Sequence, residues 1–365
     1  MLSVIAPTYK EVDHIEPFAR ALHQVLVEAG ISFELLIVDD DSCDGTEQKA
    51  AQLARELPLA FHCRVGERRD LSESVLDCID LACNDMVVVM HCDPRLPAEI
   101  PELIKPIQSG GADLVIGSRS VAGGSFDRSG SFWRFSQTRF ATLLAKPLVS
   151  CADPMSGFFA LNRLALPKRA DLHPVGGKIA LEIMVRAESS RVLEVPIHSV
   201  DRVEEAMSLT EQFDYLRHLR RLYLHRFPGP AELVNFVAVG ASGFIIDVTF
   251  YYLLQLLGIE HRMARAISFW PAVTSNWFLN RTTTFSYRGV RPRLRQWAEF
   301  AISCLIGFCV SWGSYFVLTT FIDFFDRYRL LALLLGAAMG TVFNFTIASL
   351  YVYSAKRTDN LSDAK

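Results

Sequence analysis

Several signatures of common function classes are missing from this chain of 365 residues. Its eight cysteines contain no C-x-x-C pair and read as free, mostly buried thiols in a reducing compartment. There is no Walker lysine motif. No G-x-G-x-x-G follows the first apolar strand, so a dinucleotide-binding fold is not expected, and no serine sits in a G-x-S-x-G elbow. With 21 glycines and 8 cysteines the chain is neither collagen-like nor a disulfide scaffold. Charge of one sign is also missing. The 37 basic and 40 acidic residues leave −3, which excludes a global polyanion-binding surface; any basic patch must be local, and no nucleic-acid partner is expected. The low apolar content of disordered chains is absent, since 50% of residues are hydrophobic and mean hydropathy is +0.22. Met1–Lys10 has no basic n-region and only a brief apolar run, so no signal peptide is expected. No repeat of 20–50 residues is visible.

What is abundant is apolar sequence, and it is concentrated beyond Leu233. Four long stretches follow: Leu233–Ile259, Met263–Phe285, Ala298–Ile322 and Leu330–Tyr353. Each can cross a hydrocarbon core about 30 Å thick, which takes roughly 20 helical residues. The second is the most polar, with Arg265, Asn276, Asn280 and Arg281 inside it. Arginine asymmetry sets the expected orientation. Arg217, Arg220, Arg221 and Arg226 precede the first stretch, Arg288, Arg291, Arg293 and Arg295 lie between the second and third, and Lys356-Arg357 opens the tail. The opposite loops carry His261 and Arg262, and Arg327 and Arg329 diluted by Asp323 and Asp326. The positive-inside rule then predicts a multi-pass membrane protein with residues 1–230 and the tail in the cytoplasm.

The first 207 residues read as an α/β domain. Leu2–Ala6, Phe33–Val38, Ala60–Val65, Met86–Met90 and Asp113–Ile116 are strand-like. Helical patterns lie between them, through about Ala29, from Asp44-Gly45-Thr46, over Leu71–Ala82 and over Pro97–Ser109. Alternation of this kind predicts a parallel sheet covered on both faces, with ligands bound at the carboxyl ends of the strands. Carboxylates stand just past two strand ends, at Asp39-Asp40-Asp41 and at Asp93. Asp44 reads better as a helix N-cap. Ser208–Phe227 reads as an amphipathic helix with Leu209, Phe213, Leu216, Tyr223 and Phe227 spaced by threes and fours, and its place before the first span suggests an interfacial helix. The expected organisation is therefore 1–207, 208–229, 230–355 and a tail 356–365.

Several segments resemble a known family. Pro7-Thr8-Tyr9-Lys10-Glu11 resembles the P-T-Y-N-E opening of family 2 glycosyltransferases. Val38-Asp39-Asp40-Asp41-Ser42-Cys43-Asp44-Gly45-Thr46 is similar to their V-D-D-x-S-x-D-G-T. Gly117-Ser118-Arg119, Asp153-Pro154-Met155-Ser156-Gly157-Phe158-Phe159-Ala160-Leu161, Gly177-Lys178 and Leu181-Glu182-Ile183 resemble the dolichol- or polyprenol-phosphate mannose synthases. Asn276-Trp277-Phe278-Leu279-Asn280-Arg281 through Thr284-Phe285 is similar to a segment of the GtrA-like four-span domain fused to some of them. The resemblance implies a GT-A fold, Rossmann-like with a mostly parallel sheet, joined to an all-α four-helix transmembrane domain. It also implies inverting transfer of a sugar, mannose first, from GDP-mannose or a UDP-hexose to a polyprenyl or dolichyl phosphate with a divalent cation, Mn²⁺ or Mg²⁺. By motif position Pro7, Tyr9, Glu11, Asp39 and Asp40 would hold the nucleotide. Arg119, Arg134, Lys178 and Arg202 would hold phosphates, and Glu182 would orient Lys178 or the site around it. Plainer readings stay open: Tyr9 as packing, Arg134 as a snorkelling residue among Phe132, Trp133 and Phe135, Lys178 as a solvated charge. The chemistry suits these residues, because an acceptor phosphate is already an anion. The site must mainly hold two anions together and stabilise the leaving diphosphate.

The chain departs from the family where a metal is expected. In place of D-A-D-x-Q/S stands His91-Cys92-Asp93-Pro94-Arg95. His91 and Asp93 could hold Mn²⁺, to which imidazole is better suited than to Mg²⁺. Arg95 would repel a metal but could contact the diphosphate itself. Where the family reads R-x-x-G-x-S-K-L, this chain has Arg202-Val203-Glu204-Glu205-Ala206-Met207-Ser208-Leu209, and Asp70 replaces an expected glycine. The alternative to an active transferase is therefore a degenerate homologue that binds a nucleotide sugar or lipid, or assists lipid translocation.

Overall fold

The computed structural model describes residues 1–39, 42–63, 71–126, 132–169, 172–174, 178–187, 191–199, 208–286, 288 and 292–354. The chain divides into two compact units, Met1–Arg226 and Phe227–Lys365.

In the first unit the strands are β1 (Leu2–Thr8), β2 (Phe33–Asp39), β3 (Leu59–Cys63), β4 (Met86–Val89), β5 (Leu114–Ser118), β6 (Ser125–Phe126), β7 (Phe159–Asn162), β8 (Val192–Pro196) and β9 (His198–Ser199). The helices are α1 (Val12–Glu28), α2 (Thr46–Leu53), α3 (Leu71–Leu81), α4 (Ile100–Gln108), α5 (Phe132–Ala145), α6 (Ile179–Arg186) and α7 (Leu209–Arg226). Seven strands form one sheet in the order β3-β2-β1-β4-β7-β5-β8. All neighbours are parallel except at β7, which runs antiparallel between β4 and β5. Strand side chains alternate between two cores. Val4, Ala6, Leu35, Ile37, Val88 and Met90 pack with Ile15, Phe18 and Leu22 of α1 and Leu103 of α4. Ile5, Leu36, Val38, Val87, Val89 and Ile116 pack with Val75, Leu76 and Ile79 of α3 and Ile183 of α6. A parallel sheet buried on both faces needs apolar residues at every position, which is why these strands read as continuous runs.

Helix α7 buries Tyr215, His218, Leu219 and Leu222. The Tyr215 hydroxyl donates to the Ala141 carbonyl (2.8 Å) and that of Tyr223 to Leu144 (2.7 Å), docking it on α5. The apolar stripe read from sequence is thus not the buried one: Phe213 and Leu216 face outward. The cysteines also differ from expectation. Cys78, Cys92 and Cys151 are buried, but Cys43, Cys83 and Cys309 are exposed.

The second unit consists of α8 (Pro228–Leu256), α9 (His261–Leu279), α10 (Arg293–Phe321), the short α11 (Asp323–Arg327) and α12 (Arg329–Ile347). Among the described residues, three helices are long and apolar enough to cross a membrane, Pro228–Leu256, Arg293–Phe321 and Arg329–Val352. The stretch expected as the second span is helical but falls short. It is broken up by Arg265, Pro271 and Asn276, and its end is polar at Asn280-Arg281. The unit is a duplicated helical hairpin. Helix α8 buries Glu232, Phe236, Val239 and Gly243, and α10 buries Gln296, Phe300, Ser303 and Gly307 at the same spacing. Each glycine lies under an asparagine of the returning helix. A Cβ on Gly243 would collide with the Asn276 carboxamide, and one on Gly307 with that of Asn344. Both returning helices end in a π turn, Asn280–Thr284 and Ala348–Val352, and the rings that follow, Phe285 and Tyr353, stack with centroids 4.5 Å apart.

Polar side chains join the two hairpins. Arg288 Nη2 donates to both Glu232 oxygens (2.5 and 2.6 Å), and its Nη1 donates to the Ser349 carbonyl (2.6 Å). Arg281 donates to Gln296, whose Nε2 donates to the Val352 carbonyl (3.2 Å). Glu232 is 2% exposed, so removing it strands a mostly buried guanidinium. Glu232→Ala is expected to destabilise this unit by about 3–5 kcal/mol, and Glu232→Leu with Arg288→Met to recover most of the loss. Thermal unfolding in detergent reads both; an unchanged midpoint in Glu232→Ala would show the pair to be inert.

Candidate active site

The carboxyl ends of β1, β2, β4 and β5 share one edge of the sheet, and the entry to β7 lies among them because that strand runs the other way. At β1 and β2 the two strand-end loops are tied together. Asp39 is 3% exposed. It accepts from Thr8 Oγ1 (3.1 Å), from the Ser42 N–H (2.8 Å) and from the Ser42 hydroxyl. The Lys10 N–H in turn donates to Ser42 Oγ (3.1 Å). Lys10 (φ 57°) and Cys43 (φ 51°) both hold left-handed backbone, which this lacing stabilises. Pro7 is buried and Tyr9 is exposed beside the Lys10 ammonium, 5.4 Å from its ring. Glu11 immediately precedes α1. The N-cap of α2 is Gly45 and not Asp44, which stands one residue earlier; its side chain still serves two helix starts, Oδ1 accepting from Thr46 N–H (3.0 Å) and Oδ2 from Val12 N–H (3.3 Å). Asp40 lies outside the described residues.

Arg119 follows β5 and is held by Asp153 of the D-P-M-S-G segment. Its Nε donates to Oδ2 (2.9 Å), Nη2 to Oδ1 (3.2 Å) and its backbone N–H to Oδ2 (3.1 Å). Asp153 is fixed by Glu194 of β8, which accepts from the Ala152 and Asp153 N–H groups (2.9 and 3.2 Å). Ser156 Oγ donates to the Gly117 carbonyl (2.7 Å), closing this segment on β5. Gly157 admits the His91 ring: a Cβ there would lie 2.5 Å from Nε2. Beyond β4, Asp93 Oδ1 accepts from the Arg95 N–H and Nε (both 2.9 Å) and Oδ2 accepts from Nη2 (2.5 Å).

Lys178 stands at the start of α6, one turn before Glu182. Glu182 is completely buried. It accepts from Arg186 Nε (2.5 Å), His218 Nε2–H (2.6 Å) and Arg221 Nη2 (3.1 Å), so it binds α6 to α7. Burial pushes its carboxyl up, but the bonds from His218 and Arg186 outweigh that and bring its pKa down to about 2. Arg134 falls in α5 with its side chain outside the described residues, and Arg202 lies outside them altogether. Sequence reasoning gave no role to Thr8, Ser42, Asp153, Glu194, Arg186 or His218. Thr8, Ser42 and Asp153 carried a signal as letters of the motifs that contain them; Glu194, Arg186 and His218 carried none.

The sequence model described as Glycosyl transferase family 2 matches residues 3–169, and that described as GtrA/DPMS, transmembrane domain matches 235–353. A dolichol-phosphate mannosyltransferase of Pyrococcus furiosus is 33% identical over 346 residues, covering 93% of this chain and 95% of that protein. This chain belongs to the dolichol-phosphate mannosyltransferase family. Proteins of the same name from Saccharomyces cerevisiae (30% identity, 69% of this chain, 93% of that one) and Mycosarcoma maydis (31%, 70% and 90%) match a shorter part. The chain is accordingly a membrane glycosyltransferase with a GT-A-like catalytic unit and a GtrA-type membrane unit.

The family resemblance implies a divalent cation, and among the described residues the run His91–Arg95 that would hold it does not fit one. Mg²⁺ needs a near-octahedral set of oxygen ligands. Among the described residues no group of three His, Cys, Asp or Glu side chains is arranged to hold a metal. Asp93, the remaining carboxylate of the motif, carries a guanidinium on both oxygens, and the His91 ring packs over Gly157.

Proposed function

We propose that this transferase moves a hexosyl group, mannose first among candidates, from a nucleoside diphosphate sugar to the phosphate of a polyprenyl lipid at the carboxyl edge of its sheet. The observation that carries this reading is the 33% match to a dolichol-phosphate mannosyltransferase, which runs through both units of the chain. A phosphate oxygen of the acceptor attacks the anomeric carbon as its bond to the diphosphate breaks, which inverts the centre and releases the nucleoside diphosphate. The acceptor is an anion throughout, so no side chain has to remove a proton. Asp39, set rigidly between Thr8 and Ser42, and Tyr9 at the surface take the nucleoside, and motif position gives Pro7, Glu11 and Asp40 the same duty. Arg119 takes phosphate oxygens with a fork already oriented by Asp153, and Lys178, Arg134 and Arg202 add charge. Glu182 keeps α6, and with it Lys178, on α7.

The arginine pattern supports a cytoplasmic catalytic unit and tail, and the outward Phe213 and Leu216 of α7 support a helix lying at the membrane surface. Tags at the two termini are expected to be accessible from the cytoplasmic side only; a C-terminal tag reached from outside would refute four crossings. Substrates are tested with full-length protein in detergent against GDP-mannose and UDP-glucose, paired with polyprenyl phosphates of several lengths. One donor should give a lipid-linked sugar sensitive to mild acid. No transfer from any pair would replace this reading with that of a non-catalytic lipid- or nucleotide-sugar-binding homologue.

A further inference from the structure

We infer that Arg95 is the resident counter-charge for the donor diphosphate, so that this transferase works without a divalent cation. The inference rests on the transferase reading above and specifies its site. Three side chains occupy the strand-end run after β4, and each argues the same way. Asp93 is 7% exposed and meets Arg95 through both oxygens and a backbone N–H, a fork-to-fork pair closed by a tight turn. A metal on Asp93 would have to displace or sit against that guanidinium, and two cations on one carboxylate repel. His91 directs Nε2 at the Gly157 backbone, where only a glycine leaves room for it.

Arg95 itself is built for the replacement. Its side chain is 49% exposed although its carboxylate partner is 10% exposed, so the pair is anchored inside and presents its cationic end at the substrate edge. Guanidinium carries five N–H donors in one plane, enough to meet more than one partner at a time. It stays charged at every physiological pH, and its planar fork matches phosphate oxygens in pairs. A metal ligand at this position would need a lone pair, which guanidinium lacks. Asp93 then acts as a positioning residue for Arg95 and not as a ligand. The electrostatic duty toward the leaving diphosphate is unchanged, but a permanently bound cation performs it.

The test measures GDP and UDP binding by calorimetry on full-length protein in detergent, in EDTA and in Mn²⁺, alongside transfer assays. Wild-type protein is expected to bind one of the two nucleotides in EDTA within about twofold of its affinity in Mn²⁺, and to turn over in EDTA. Arg95→Gln should bind at least tenfold more weakly in EDTA, the worth of one charge-assisted contact. Arg95→Lys, which keeps the charge and loses the fork, should fall between them. The double change His91→Asp with Arg95→Gln should recover binding in Mn²⁺ only. Wild-type binding that disappears in EDTA, with Arg95→Gln indistinguishable from wild type, overturns this inference and leaves the transferase reading standing. No binding of either nucleotide by folded wild-type protein in any buffer overturns both.

Discussion

Arg119→Ala is expected to lower glycosyl transfer roughly 10–100-fold while the unfolding of the membrane unit stays unchanged. A charge-assisted hydrogen bond to phosphate is worth about 1.5–3 kcal/mol, and in the proposed mechanism the Arg119 fork makes such bonds as charge builds on the leaving diphosphate. The fork is oriented in advance. Asp153 grips Nε and Nη2, and Glu194 fixes the Asp153 backbone, so the substrate does not have to order a flexible chain. Two further changes separate charge from orientation. Arg119→Lys retains a cation without the fork and should keep part of the activity. Asp153→Asn leaves Arg119 in place but loosens its grip, so KM for the donor should rise more than kcat falls. Wild-type turnover in Arg119→Ala would remove this residue from the site.

The parts of this fold legible in the sequence are those whose signal is local. β1, β2, β4 and β5 are buried on both faces, so each is an unbroken apolar run, and Asp39 and Asp93 mark where two of them end. β7 is hidden by contrast. It is four residues long, runs against its neighbours, and lies inside a segment that reads first as chemistry, Asp153 to Leu161. Pairings between distant residues leave no trace in one sequence. Arg119 with Asp153 and Glu182 with His218 each join residues tens of positions apart, and the arginines of α7 read as membrane-side charge although Arg221 also serves Glu182. The hairpin duplication escapes notice because few positions 64 residues apart are identical, among them Phe236 with Phe300, Gly243 with Gly307 and Phe244 with Phe308, while Glu232 answers to Gln296. Most outward positions in the helices tolerate any apolar residue, so Leu253, Trp312 and Leu334 keep no pattern. The altered strand end at His91–Arg95 was visible as a departure. The sequence already allowed Arg95 to meet the diphosphate; what it could not show is the two-oxygen grip of Arg95 on Asp93.

Glu182 is expected to give the catalytic unit a steep loss of stability in acid. Its carboxylate is fully buried against Arg186 of its own helix and His218 and Arg221 of α7, with the His173 N–H at 3.4 Å. Burial alone would favour the neutral acid. The bonds from His218 and Arg186, then the charges of His218 and Arg221, reverse this and hold the folded pKa at about 2. In the unfolded chain the same group titrates near 4.3. Between these values the unfolded state binds the extra proton, so stability rises with pH. The contribution is complete above about pH 4.3 and is lost as pH falls toward 2, and its full size is about 3 kcal/mol. Urea unfolding of wild type and Glu182→Gln from pH 7 to pH 3 isolates it. The variant should be about 3 kcal/mol less stable at pH 7, because Arg186 and Arg221 lose their counter-charge. The gap between the two curves should shrink below pH 4.3, to roughly half by pH 3. Asp113, held low by the backbone and side chain of Arg191, keeps some acid sensitivity in both. Parallel curves would mean that Glu182 ionises no more readily when folded than when unfolded.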